Sequence, residues 1–210
     1  RVPDATYLRV VMDGNYTPVE GAGASRGTMK SGLEILSRPL LTRENGSMIP
    51  MGSPKVIERT ENAKPQTLVQ IPWADIVTSY VSTGIPTIEV FQVQSGSLPD
   101  WVIGLAQKDL GRRFLSWLID VTLPEGPPAE AQAQRQTQIV STASNAEGIS
   151  ASAEMITPEA YLLTFHSTLI VTKRILDGHW EAGFRTPAQV YGADLALEVP
   201  GVSRKDLPAE

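Results

Sequence analysis

Three short stretches carry side chains that could bind a polar ligand. The first is Ser25-Arg26-Gly27-Thr28, inside GASRGTMKSGLEIL. Small residues lead there into an apolar pattern of helical spacing. The free N–H groups and positive dipole end of such a helix start suit an anion. Its glycines, Gly21, Gly23 and Gly27, fit neither G-x-G-x-x-G nor G-x-x-x-x-G-K-[ST]. The plainer reading therefore weighs more: Ser25 or Thr28 caps the helix, and the small residues allow close packing. The second stretch is STGIP, residues 82–86. The hydroxyls of Ser82 and Thr83 beside Gly84 suit a polar substrate group. Alternatively the stretch is a helix stop and strand entry, with Pro86 fixing the bend. The third is FRTPAQVYGAD, in which Arg185 can pair a carboxylate in two-pronged fashion. Thr186-Pro187 equally well begins a short helix.

Other chemistries find little support. Two histidines, His166 and His179, are too few to argue a Ser-His-Asp arrangement. Glu20, Glu34, Asp75, Glu89 and Asp194 are scattered, and no two of them read as an acid/base couple. With no cysteine, the chain has no disulfide, no thiolate nucleophile and no Cys/His zinc site, and no metal ligand set is expected. Trp73, Trp101, Trp117 and Trp180 lack interleaved basic residues and read as core or rim, not as a stacking platform.

Composition narrows the class. The 210 residues are enough for one large domain or two small ones, and 41% apolar with 20% charged is an ordinary globular balance. A net charge of −5 without a basic run excludes the electrostatic footprint of a nucleic-acid binder. No apolar run reaches the length of a membrane span, and no signal peptide is visible. A cytoplasmic protein is expected. The chain enters a strand-like stretch, DATYLRVVM, almost at once after Arg1, as a piece of a longer or processed polypeptide would.

These residues must be positioned by a succession of short elements. Residues 4–12 read as a strand ending in the turn DGNY. A helix follows over Thr28–Ser37, with Met29, Leu33 and Leu36 on one face and Pro39 ending it. Residues 43–54 read as loop, then KVIERT and QTLVQI as strands. PWADIVTSYVSTG reads as a short helix stopped by Gly84, although its β-branched content favours a strand. IPTIEVFQV is a strand. Leu98 to Asp120 holds two helical pieces, and LPEGPPAEAQ is a loop. Arg135–Ala146 and ISASAEMI form a hairpin about Gly148. A long helix then starts with Thr157 as N-cap and Pro158 at its first position. It carries Leu162, Phe165, Leu169, Thr172 and Ile175 or Leu176, and stops at Gly178. Residues 186–192 form a last helical turn, ADLALEV a last strand, and residues 204–210 a tail. Residues 1–203 then form a single domain. The expected fold is α+β: a mixed, largely antiparallel sheet with helices packed on one face, and no Rossmann domain.

Five of these stretches, in this order, resemble the C-terminal part of the saccharopine dehydrogenase-like family of NAD(P)-dependent oxidoreductases. They are ASRGTMKSGLEIL, PWADIVTSYVSTGIPTIEVF, GPPAEAQAQR, NAEGISASAEMITPEAYLLT and GFRTPAQVYGADLALEVPGV. The resemblance implies the second domain of such a protein, one that closes a substrate cleft and contributes to dimerisation. It implies a missing N-terminal Rossmann domain, no cofactor held by this chain alone, and NAD or NADP in the full-length parent. The parent would transfer a hydride between NAD(P) and a small-molecule substrate. Substrate contacts would come from Ser25, Gly27, Thr28, Ser82, Thr83, Arg185 and Thr186, and a homodimer would form through the sheet or the helices near residues 99–120. Arg26 stands where the family more often has a small residue, and no catalytic residue carries over. Two other classes stay open: a non-catalytic interaction or dimerisation module, and a stand-alone small-molecule-binding domain.

Overall fold

The computed structural model describes residues 2–17, 19, 24–61, 64–94 and 100–208. Glu20, Gly21, Gly23 and the start of the 98–120 segment lie outside these. The core is a nine-stranded sheet. Its first strand, β1 (Tyr7–Asp13), pairs in parallel with β6 (Thr87–Gln94) and antiparallel with β7 (Gln136–Ser144). Next to β7 lie β8 (Ser150–Pro158) and then β9 (Ser203–Leu207), both antiparallel. Two hairpins share the other edge of β6. The hairpin of β2 (Leu41–Glu44) and β3 (Ser47–Pro50) meets it at Ile88, and that of β4 (Val56–Glu61) and β5 (Lys64–Gln70) meets it at Phe91–Gln94. Gln70 Nε2 donates to Thr42 Oγ1 across the fork. Only the β1–β6 pair is parallel among these ladders, so the sheet is mixed and largely antiparallel, as an α+β chain requires.

Strand alternation sorts the core onto two faces. On one, Leu8, Val10, Ile88 and Val90 pack with Ile76 and Tyr80 of helix α2 (Asp75–Thr83). The left-handed Gly84 (φ 73°) ends that helix, so the helical reading of PWADIVTSYVSTG holds. On the opposite face Val11 and Phe91 pack with Leu68 and Ile57 of the β4–β5 hairpin. Three other helices form a satellite core: α1 (Arg26–Leu36), α3 (Asp100–Ala106) and α4 (Asp109–Thr122) bury Leu33, Ala106, Leu115 and Ile119 together. A short helix α5 (Ala129–Gln134) precedes β7, where the sequence had suggested loop.

Several boundaries depart from expectation. Residues 43–54, read as loop, contain the β2–β3 hairpin, turned by Asn45-Gly46 with positive φ at both residues (48° and 80°). That is the backbone a two-residue hairpin demands. Thr157 is not an N-cap: it is fully buried in the β8 ladder, and the helix α6 (Ala160–Leu176) is capped by the Glu159 carboxylate, which accepts from the N–H groups of Tyr161 and Leu162. The segment ADLALEV is no strand; Ala193–Glu198 is a 3-10 helix that follows α7 (Pro187–Tyr191). Residues 203–207, taken with the tail, are β9. Its side chains are mostly polar, so backbone pairing holds it together with the Lys205–Glu154 (2.6 Å) and Arg204–Asp194 (2.7 Å) ion pairs.

Candidate functional site

The seven residues singled out by sequence gather in two groups, built on helix ends. The first sits where α1 begins. Ser25 caps the helix, its Oγ accepting from Thr28 N–H at 3.1 Å. Tyr161, in the first turn of α6, reaches this cap from 136 positions away. Its hydroxyl donates to Ser25 Oγ at 2.7 Å, accepts from Ser25 N–H at 3.1 Å, and lies 2.6 Å from Thr28 Oγ1. Ser25 Oγ and Thr28 Oγ1 are 3.0 Å apart. The three hydroxyls therefore close a ring in which Tyr161 donates to Ser25, Ser25 to Thr28 and Thr28 back to Tyr161. Such rings reinforce themselves, because each donor is polarised by the bond it accepts. Partial burial pushes the Tyr161 phenol up, but the hydrogen bonds from Ser25 and Thr28 outweigh it and hold the phenol below its ordinary value. Gly27 has only Ser25 Oγ within 4 Å of where a Cβ would stand, so it leaves the helix start open.

The second group joins α2 to α7. Thr186, nearly buried, caps α7 through a capping box with Gln189, and its Oγ1 lies 2.7 Å from Ser82 Oγ. Gln189 Nε2 donates to the Val81 carbonyl at 2.7 Å. Thr83 is spent on its own helix, donating to Ser79 O at 2.7 Å and accepting from Ile85 N–H. Arg185 pairs with Glu181 at 2.9 Å on the surface. Glu181 borders a shallow concavity that also holds Arg174, His179 and Trp180.

The two groups do not meet. Tyr161 opens α6, whereas Arg174, near its end, stacks on Tyr191 of α7 at 5.0 Å. At about 1.5 Å of rise per residue, the ends are roughly 20 Å apart along the helix. Tyr161 was absent from the residues picked as chemistry-bearing; its only sequence signal was its place in the TPEAY helix start.

Removing the Tyr161 hydroxyl tests the ring directly. Tyr161→Phe keeps the ring packing but leaves the Ser25 N–H to water. A stability loss of about 1 kcal/mol in urea unfolding is expected, with faster amide exchange confined to the first turn of α1. Unchanged exchange there would show that the hydroxyl ring does not hold the helix start.

Among the described residues no group of three or more His, Asp or Glu side chains could hold a metal ion. No described helix is long and apolar enough to cross a membrane. The two sites thus sit on an α+β domain with a mixed sheet and helix-end hydroxyl clusters. No family model matches the chain, and no curated protein matches its sequence. Among solved structures, the chain is similar to apo histidine-tagged saccharopine dehydrogenase (L-Glu forming) from Saccharomyces cerevisiae. The two share 11% identity and a TM-score of 0.47, over 98% of this chain and 68% of that one.

Proposed function

We propose that this chain is the second, cleft-closing and dimerising, domain of a saccharopine dehydrogenase-like oxidoreductase. The parent transfers a hydride between NAD(P) and a small-molecule substrate. The observation that carries this reading is spatial pairing among the stretches that bear the resemblance. ASRGT meets TPEAY through Ser25, Thr28 and Tyr161, and STGIP meets FRTPAQ through Ser82 and Thr186. Segments far apart in sequence are thus tied two by two at helix ends, where polar groups are fixed for contact with a ligand. On this reading Tyr161, Ser25 and Thr28 orient a substrate oxygen by hydrogen bonding from the far wall of the cleft.

The same residues do not fit a dinucleotide. The connection from β1 to α1 runs from residue 14 to residue 25, far longer than a tight Gly-rich turn, and the Tyr161 hydroxyl already lies against the N-cap of α1. A nicotinamide cofactor, which supplies the hydride, belongs on this reading to a preceding domain. The apolar surface supports a partner. Leu110 (82% exposed), Phe114, Trp117 (58%) and Val121 make an outer ridge on α4, opposite the stripe that enters the satellite core. On α6 the apolar residues Phe165, Leu169 and Ile175 are exposed as well. A partner surface on these ridges is the physical reason for an apolar stripe that nothing among the described residues covers.

The test joins assembly to cofactor binding. The chain is expected to be dimeric by light scattering, and Trp117→Glu with Phe114→Glu to make it monomeric without unfolding. Calorimetry with NADPH is expected to show no binding to this chain, and micromolar binding to a polypeptide extended upstream through the reading frame. Micromolar binding to the chain alone, or none to the extended polypeptide, would overturn the reading.

A further inference from the structure

We propose that the sheet face around Tyr7 is a binding site for a small carboxylate ligand, held by the guanidinium of Arg9 and the ammonium of Lys55. The site lies apart from the one above. Since β7 runs antiparallel to both β1 and β8, those two strands point the same way. Tyr7 opens β1 and Tyr161 follows the end of β8, so the clusters occupy opposite ends of the sheet.

The cluster is assembled by register. Arg9 stands beside Glu89 on β6 and Thr142 on β7, and Thr142 stands beside Ser152 on β8, all on one face. Tyr7 lies on that face too. Its hydroxyl donates to Glu89 Oε2 at 2.5 Å and accepts from Arg9 Nε at 3.2 Å. The other Glu89 oxygen takes the Lys55 ammonium, which arrives from the residue before β4, at the fork of the β6 edge. Thr142 Oγ1 and Ser152 Oγ are 2.8 Å apart. The apolar packing of this face stops at Val11 and Phe91, and Arg9 is exposed beyond it.

The charge balance decides what fits. Burial pushes the Glu89 carboxyl up, but hydrogen bonds from Lys55 and Tyr7 outweigh it and keep the group ionised. Burial and Glu89 push the Tyr7 phenol up, so it stays neutral. Two cations, Arg9 and Lys55, flank the Glu89 carboxylate, and the Glu44 carboxylate also acts on Lys55. Glu89 absorbs one hydrogen of Lys55 and leaves two for a ligand. Arg9 spends only Nε; among the described residues nothing accepts from its two Nη groups. That fork suits a planar carboxylate in bidentate fashion. The Thr142–Ser152 hydroxyl pair, one row along, suits a hydroxyl or amine on the same ligand.

The test uses the intact chain and a titration followed by amide nitrogen–proton spectra. Succinate is the probe, with neutral succinamide and inorganic phosphate as comparisons. Succinate is expected to shift the amides of residues 7–9, 89 and 142 in a saturable way, and succinamide is not. Arg9→Ala should weaken succinate by about tenfold or more; Arg9→Lys, which keeps the charge and loses the fork, should fall between. Lys173→Ala, which removes an exposed cation paired with Asp177, should change nothing. A thermal melt confirms that both Arg9 variants fold. Absent shifts, equal effects of succinamide, tighter binding of phosphate than of succinate, or full affinity in Arg9→Ala would each overturn the proposal. None of these results bears on NADPH binding or dimerisation.

Discussion

Replacing Arg43 by methionine is expected to destabilise the chain by about 3 kcal/mol. Arg43 is 7% exposed, inside β2. Its Nε donates to the Ile76 carbonyl and one Nη to the Gly46 carbonyl, both at 2.6 Å. The guanidinium also lies 4.1 Å from the centre of the Tyr80 ring. One side chain thus ties the edge hairpin, its Asn45-Gly46 turn and α2 together. Methionine keeps most of the buried stem, so the change isolates the loss of donors. Each lost hydrogen bond from the charged group costs about 1–3 kcal/mol, less whatever water recovers, and the cation–π contact adds about 1 kcal/mol. Arg43→Lys retains a charge and one donor and should lose less. Urea unfolding measures both; a loss under about 1 kcal/mol in the methionine variant would mean that water re-enters freely.

Gly111→Ala is expected to destabilise by about 2 kcal/mol, with the opposite sign from the usual glycine-to-alanine change inside a helix. A Cβ at Gly111 would stand 2.3 Å from the Leu105 carbonyl oxygen and 2.9 Å from its carbon. Both are backbone atoms, so no rotamer change relieves the clash, and α3 must move off α4. The damage should concentrate in the satellite core. Amide exchange is expected to accelerate across residues 100–122 and around Leu33, and the β1–β6 ladder to keep its protection. A stabilised variant would show that α3 and α4 are not in contact at Gly111.

The elements that sequence made legible are those whose own pattern matched their burial. In β6 the run Ile88–Phe91 is hidden almost completely, and β-branched and aromatic residues in a short run say so. In α4 the spacing of Gly111, Leu115 and Ile119 predicts the buried stripe. The hairpin β7–β8 follows from alternation about Gly148. Other elements were lost for identifiable reasons. Asn45-Gly46 is a strong hairpin signal, but flanking prolines and glycines hid the two four-residue strands. ADLALEV has strand-like alternation, but Gly192 and the cap at Thr186 commit it to helical turns. In β9 no apolar pattern exists to read, because the strand is held by its backbone and by the ion pairs of Arg204 and Lys205. The helix-end sites were half visible. Ser25 and Thr186 were legible as caps, since capping is local chemistry. Tyr161 and the Tyr7–Glu89 contact were not, because they join residues 136 and 82 positions apart, which no local window contains.

The pairing of β1 has a consequence for how the chain is made. Its parallel partner residue for Tyr7 is Thr87, and its antiparallel one is Ser144. On a ribosome the first strand therefore emerges with no mate. It waits while some 80 further residues are added before one of its edges can close, and longer for the other. Through that interval Leu8, Val10 and Val11 sit on an open, hydrogen-bond-hungry ribbon, which is the sort of segment that nascent-chain chaperones hold. Meanwhile the β2–β3 and β4–β5 hairpins, made of neighbouring residues, can close early and stand ready to receive β6. Assembly is thus expected to begin at the edge of the sheet and reach its centre last, so that slowing translation after residue 94 should raise the soluble yield more than slowing it before.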